Sequence, residues 1–216
     1  MKKNKKPKKR MIFFTTIFLT IPAVWGYNKE WMQESFELHE TNAEIFEIRE
    51  KHKIFKQVGE KLKNHGLGIS PSTFADYALI VSYCESKWNP KAKNSIDAQG
   101  IFQWTVPTRE YLNLPKDITG EPFEKQATYL GDYLIATGKV RQISNPTDLH
   151  LLNFSPSNPL KSDTITGVDY EKNKALDLDE NGFLSRNDLA LFEKRCIMNS
   201  GNATLMGIWS KQFLKP

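Results

Sequence analysis

The stretch SPSTFADYALIVSYCES, Ser70 to Ser86, decides the fold. Ser70 is a good N-cap, and Pro71 suits the first helical position, where its missing N–H is no loss. Phe74, Tyr77, Ala78, Val81 and Cys84 then recur at intervals of three and four, the spacing of an apolar stripe on one helix face. The stripe ends near Trp88, which leaves Glu85 in the last turn of a helix that is largely core. A carboxylate in such a place is costly in its charged form unless it is hydrogen-bonded or neutralised, and this is how a glutamic acid keeps a proton to donate near neutrality. A partly exposed helix-end glutamate is the plainer alternative.

Towards the N-terminus, Glu30 to Asn64 is rich in Glu and Lys and lacks Pro, and it places Trp31, Leu38, Ile45, Ile48, Phe55 and Leu62 at spacings of three and seven. The pattern predicts a long amphipathic helix, either a stalk or a helix packed on the domain. A coiled-coil arm is disfavoured because Thr41, His52 and Gly59 break the heptads. His65 to Gly68 closes the helix as a turn. Further out, Lys2, Lys3, Lys5, Lys6, Lys8, Lys9 and Arg10 precede an apolar run from Met11 to Val24. That is the layout of a secretion signal or a short membrane anchor, with cleavage favoured because the run is shorter than a spanning helix needs. Trp25 and Tyr27 suit a membrane interface and speak for the anchor.

The formal charge of +5 is carried by this leader. Residues 1–26 hold seven of the 30 Lys and Arg and no Asp or Glu, which leaves 23 basic against 25 acidic residues in the remainder. No basic patch interleaved with aromatics survives the subtraction, so a nucleic-acid partner is excluded. Cys84 and Cys196 have no metal-ligand spacing; Cys84 fits a core thiol, and a disulfide between the two stays open. His39, His52, His65 and His150 are scattered, without metal or triad spacing. Neither a GxSxG elbow nor a phosphate loop occurs.

Downstream of the helix stand Glu85-Ser86-Lys87-Trp88-Asn89-Pro90-Lys91-Ala92, then Asn94, Ala98, Gly100-Ile101-Phe102-Gln103 and Pro107-Thr108. This text resembles the superfamily of soluble lytic transglycosylases and goose-type lysozymes, whose pattern is Glu-Ser, a loop with Asn-Pro and Ala, a Gly-Ala-x-Gly-Leu-Met-Gln turn and Pro-x-Thr. Weaker echoes are Gln126 to Leu130 and Leu151-Leu152-Asn153-Phe154, the latter near the family's Tyr-Asn; the resemblance spans Ser70 to Pro156.

The resemblance implies a lysozyme-like helical domain that cleaves peptidoglycan between N-acetylmuramic acid and N-acetylglucosamine. Glu85 would be the general acid, one carboxylate sufficing where the substrate's acetamido group assists, an exception to the two-carboxylate scheme. Gly100 would allow a close backbone turn beside the sugar, Gln103 would hydrogen-bond the substrate, and Ser86 would orient Glu85 or the backbone. Tyr129 is a candidate sugar platform, although Tyr129 and Tyr133, four apart, also suit a core face. Asp97 stands where the family has the first Gly of the turn. It could hold a water for hydrolysis, which would make a lysozyme, or merely cap a short helix beginning near Gly100.

A second motif runs from Asp177 to Asp188. Asp177, Asp179, Asn181, Gly182, Phe183, Ser185 and Asp188 occupy positions one, three, five, six, seven, nine and twelve of an EF-hand-type loop, with Leu184 at the usual apolar position. Oxygen ligands at alternating positions around a glycine turn point to Ca2+, with Phe183 contributing its backbone carbonyl. Position twelve is Asp where Glu is usual, which implies modest affinity. The entering segment, Tyr170 to Leu176, is too short for a full helix, so the unit resembles a single dockerin-like loop with an exit helix from Asn187 to Arg195. An Asx-rich surface turn that never fills is the alternative.

The expected architecture is mainly α: a signal or anchor over 1–26, an amphipathic helical stalk over 27–68, a lysozyme-like domain over 69–156, and a calcium loop with C-terminal helices over 157–216. Short helices are expected over Pro107 to Leu112, Glu121 to Thr137 and Pro146 to Asn153, with Leu205, Ile208, Trp209 and Phe213 packing back as a last helix. The expected function is an exported lytic transglycosylase or muramidase, periplasmic or extracellular or held at the inner membrane by its N-terminus, with peptidoglycan as its partner. A non-catalytic wall-binding or assembly protein on the same fold is the alternative.

Overall fold

The computed structural model describes residues 41–155, 162–166 and 170–213, so the leader and the start of the helix expected over Glu30 to Asn64 lie outside the described residues. The described chain is mainly helical: α1 Asn42–Lys63, α2 Pro71–Ser86, α3 Val106–Tyr111, α4 Phe123–Thr137, α5 Pro146–Phe154, α6 Tyr170–Asn173, α7 Arg186–Met198 and α8 Ala203–Phe213. Among the described residues there is no strand, only the isolated bridges Lys93 with Gln99, Gln99 with Trp104, and Thr164 with Ser185. No described helix is long and apolar enough to cross a membrane.

Capping fixes where the helices begin. Thr41 and Glu44 form a reciprocal capping box at α1, Asn145 and Asp148 at α5, and Ser185 and Asp188 at α7. At α2 the Ser70 hydroxyl accepts from Thr73 N at 3.0 Å and Pro71 opens the helix, as its sequence predicts. α2 is buried nearly all round, from Phe74 to Ser82, which makes it the central helix, with α1, α5, α7 and α8 packed about it. It ends on Lys87 and Trp88, both left-handed at φ 56° and 60°, and the Trp88 indole N–H donates to Leu79 O at 3.0 Å, folding the exit back under the helix.

The described part of the expected stalk is built into this core. Ile48, Phe55, Val58 and Leu62 of α1 are buried, and Phe55 meets Phe102 and Phe123 edge-on at 5.9 and 5.3 Å. Gly59, which interrupts the heptads, sits against the first turn of α2, where an added Cβ would come within 2.9 Å of Pro71 Cα. A boundary at residue 68 therefore divides a packed unit: α1 contributes to the same core as α2 and α4.

The turn after α2 also departs from expectation. Residues 100–103 form a turn and not a helix, and Asp97 caps nothing. It sits at φ 61° with its carboxylate 2.7 Å from Arg109 Nη2 and 2.6 Å from Lys93 Nζ, and it also accepts from Gln99 Nε2 at 2.9 Å. Gly100, at φ 76°, is required by a protein neighbour: an added Cβ would overlap the Gln126 amide oxygen. Gln126 is 1 % exposed; its oxygen accepts from Ile101 N at 2.8 Å, and its NH2 faces the Pro90, Ile118 and Glu121 carbonyls, each at 2.9 Å. Tyr129 is buried beside Trp104, ring centroids 6.2 Å apart, and so belongs to the core and not to an open sugar platform.

Candidate active site and the acidic loop

Glu85 sits on the last turn of α2, and its partners come from α5. His150 Nε2 lies 3.1 Å from Glu85 Oε1, and the Asn153 amide donates to the same oxygen at 3.0 Å. The Asn153 amide is oriented by two further bonds, accepting from the Trp104 indole at 3.0 Å and donating to Phe102 O at 2.9 Å, so its NH2 and not its oxygen faces the acid. No hydrogen bond to Oε2 is found among the described residues, and the Glu85 side chain keeps 19 % of its surface exposed. One oxygen is thus held by the protein, while the other is not among the fully buried polar atoms without a partner.

Behind His150 stands a second carboxylate. His150 Nδ1 is 3.0 Å from Glu193 Oε1, and the Thr147 hydroxyl donates to Glu193 Oε2 at 3.1 Å. Glu193, on α7, is fully buried, and the His150 side chain is 3 % exposed. Burial pulls the imidazole down, but hydrogen bonds and charge from Glu193 and Glu85 outweigh it and hold the ring up at about 10. The Cys84 and Cys196 thiols, both free, hydrogen-bond one another next to this group, with Lys87 Nζ 3.5 Å from Cys196 Sγ. Burial pushes Cys84 up, while its hydrogen bond and Lys87 draw Cys196 down to about 7.

The remaining motif residues serve the frame around the acid. The Ser86 hydroxyl lies 3.2 Å from Ser82 O and 3.1 Å from Ile101 O, so it ties the end of α2 to the 100–103 turn. Gln103, at φ 49°, folds its amide back on Gly100 O at 3.0 Å. Asp97 is held down at about 2 by its hydrogen bonds to Lys93, Gln99 and Arg109. In the sequence Asn153 stands out only as an echo, and His150 and Glu193 do not stand out as site residues. The available signal is local: His150 and Asn153 stand three apart in the apolar run Leu149, Leu151, Leu152, where two polar side chains on one face need partners.

The acidic loop closes on itself. Asp177 accepts from Asn181 N at 3.1 Å and Gly182 N at 3.0 Å, and Asn181 Oδ1 from Phe183 N at 3.1 Å. Tyr170 donates its hydroxyl to Asp177 at 2.6 Å. Asp188, 1 % exposed, accepts from Leu178 N at 2.8 Å with one oxygen and from Ser185 N at 2.9 Å with the other. Carboxylate oxygens of Asp177, Asp179 and Asp188 come within 4.8 Å of one another. Leu184 is buried, and its carbonyl accepts from Ile165 N at 2.8 Å, so the preceding chain supplies the short bridge beside the loop. The Phe183 side chain is exposed at 45 %.

Comparison of the chain with family models, with curated proteins and with solved structures returns no match.

Proposed function

We propose that this chain is an exported enzyme with a lysozyme-like helical domain that cleaves peptidoglycan glycan strands between N-acetylmuramic acid and N-acetylglucosamine, with Glu85 as general acid and then base. The observation that carries the reading is the division of labour at Glu85: Oε1 is held by Asn153 and faces His150, while Oε2 makes no hydrogen bond among the described residues and is not fully buried. A general acid needs such a fixed carboxyl with one open oxygen within reach of the bond to be cut.

In the proposed reaction Glu85 Oε2 gives its proton to the glycosidic oxygen as the bond to the muramyl anomeric carbon breaks. The substrate's acetamido oxygen supports that carbon. The muramyl C6 hydroxyl then closes the anhydro ring and returns its proton to Glu85. Transglycosylation is favoured over hydrolysis because Asp97, held at about 2 by Lys93, Gln99 and Arg109, is a poor base for activating water. Gln103 lies in the turn tied to Ser86 and is the proposed substrate contact.

The loop is proposed to take Ca2+ through Asp177, Asp179, Asn181, the Phe183 carbonyl, Ser185 and Asp188, in a structural role. The converging carboxylates support this; the backbone bonds already made by both Asp188 oxygens fit the modest affinity of an extracellular module. Export rests on the basic and apolar leader of residues 1–24.

The test is mass spectrometry of products from purified peptidoglycan treated, in calcium, with the protein and with Glu85→Gln. Anhydro-muropeptides that vanish in the variant are expected, with turnover reduced about 10²- to 10⁴-fold. Reducing-end products would convert the assignment to a muramidase. Binding to sacculi without any soluble product, from folded protein, would replace the enzyme with a wall-binding protein.

A further inference from the structure

Glu85, His150 and Glu193 form a continuous chain, carboxylate to imidazole to carboxylate, with links of 3.1 and 3.0 Å. A neutral imidazole donates from one nitrogen only, so two such links require two hydrogens between the three groups. With imidazolium in the middle both carboxylates are ionised; with neutral imidazole one of them is a carboxylic acid. Either way the net charge is −1. A third proton, on Glu85 Oε2, brings the group to zero and makes the acid competent.

Glu193 is the member whose presence needs a reason. A fully buried carboxylate is expensive unless paired, and among the described residues this one is paired with Thr147 and His150. Its contact defines the imidazole: with Nδ1 given to Glu193, Nε2 is aimed at Glu85. Its charge cancels that of the imidazolium, so Glu85 faces a neutral pair and not a bare cation that would strip its proton. The other groups facing the chain are Cys84 from α2, Cys196 from α7 and Lys87 at the end of α2, with the Phe192 ring 5.7 Å from the imidazole.

We infer that His150 and Glu193 are positioning residues for Glu85: the buried Glu193 carboxylate orients and neutralises the imidazole, which with Asn153 occupies Oε1 and leaves Oε2 as the oxygen that exchanges the proton. This deepens the proposed function and rests on Glu85 being the acid. The geometry also gives a sign. In the native protein the first proton lost takes the three groups from zero to −1. With glutamine at 193 it takes the remaining pair from +1 to zero, which is easier, so the alkaline limit of activity moves to lower pH.

The experiment measures kcat and KM for release of product from purified peptidoglycan between pH 5 and 9, for the native protein, Glu193→Gln and Thr147→Val. Glu193→Gln is expected to move the alkaline limb of kcat down by about one pH unit, leaving KM within about twofold. Thr147→Val, which removes one hydrogen bond to Glu193 and keeps its charge, is the second variant should the first fail to fold; it is expected to lower kcat by about threefold at unchanged KM. An unmoved limb with unchanged kcat in folded Glu193→Gln, or unchanged kcat in Thr147→Val where only that variant folds, overturns the inference while leaving the enzyme intact. Nitrogen-15 shifts of the His150 ring supply a reading that needs no turnover. Two protonated nitrogens are expected to persist to about pH 9 in the native protein and to be lost earlier in Glu193→Gln. A ring that titrates near its ordinary value of 6.5 overturns the clamp. If the native protein releases no product although its ring is clamped, the enzyme reading fails and the positioning role fails with it, leaving only a buried charge network.

Discussion

The Glu85 site and the acidic loop place their carboxylates by opposite means. Every donor to Asp177 and Asp188 within the loop comes from ten residues or fewer away, down to the Tyr170 hydroxyl seven residues upstream. The partners of Glu85 are 65 and 68 residues away on another helix, and the carboxylate behind them lies a further 43 along the chain from His150. The loop is local and half open to water; the acid is assembled by tertiary packing and mostly closed. A local site can form before the fold is complete, whereas an assembled one exists only when α2, α5 and α7 are docked together.

The largest test of that contrast is at Asn153. Asn153→Ala removes a donor from Glu85 Oε1, and since hydrogen bonds to charged groups contribute about 1.5–3 kcal/mol, product release is expected to fall roughly 10- to 100-fold with the protein still folded. Unchanged turnover would mean that the acid is as self-sufficient as the loop. Gly100→Ala addresses the frame: a left-handed backbone and an overlap with the buried Gln126 amide predict a loss of at least about 2 kcal/mol, read by denaturant titration. A neutral result would show that the turn can shift without disturbing its neighbours.

An effect of a different kind is expected from pH. The His150 imidazole is held at about 10, above its ordinary 6.5, so its stabilising contribution is complete below about pH 6.5 and is lost as the pH rises towards 10. Native melting temperatures should decline over that interval more steeply than those of His150→Gln; parallel curves would remove the charge from the imidazole. The smallest effect belongs to the loop. With the affinity of an extracellular module, about 10⁻⁴ to 10⁻³ M, removing millimolar Ca2+ should cost about 1 kcal/mol, or a few degrees in melting temperature, before activity per folded molecule changes. Melting that ignores chelator would leave the loop as an Asx-rich turn.

The same contrast explains what could be seen in the sequence. Ser70-Pro71 is a cap signal written in adjacent residues, and α2 begins where it indicates, whereas the caps Asn145 and Ser185 of α5 and α7 are seen only in the structure. The turns of residues 177–188 are local in the same way, with bonds to Asp177 and Asp188 spanning ten residues or fewer. Glu85 lies in the last turn of α2, where the apolar stripe places it, but its partners carry no signal near it in the chain. His150 carries no triad spacing because its partners are distant, and Glu193 stands in Phe192-Glu193-Lys194-Arg195, which has the composition of a solvated helix face although the carboxylate is buried. Gly100 and Tyr129 looked like substrate contacts because a sequence does not reveal that Gln126 and Trp104 already occupy those places. Asp97 looked free to act or to cap because Arg109, twelve residues on, gives no sign of its target.

Glu193 lies beyond the acidic loop, on the helix that leaves it, yet its carboxylate ends behind the imidazole that meets Glu85. A fragment ending at residue 156 would therefore keep Glu85 and His150 but lose the buried carboxylate that meets the imidazole from behind, so the C-terminal helix and the Glu85 pocket form one structural unit.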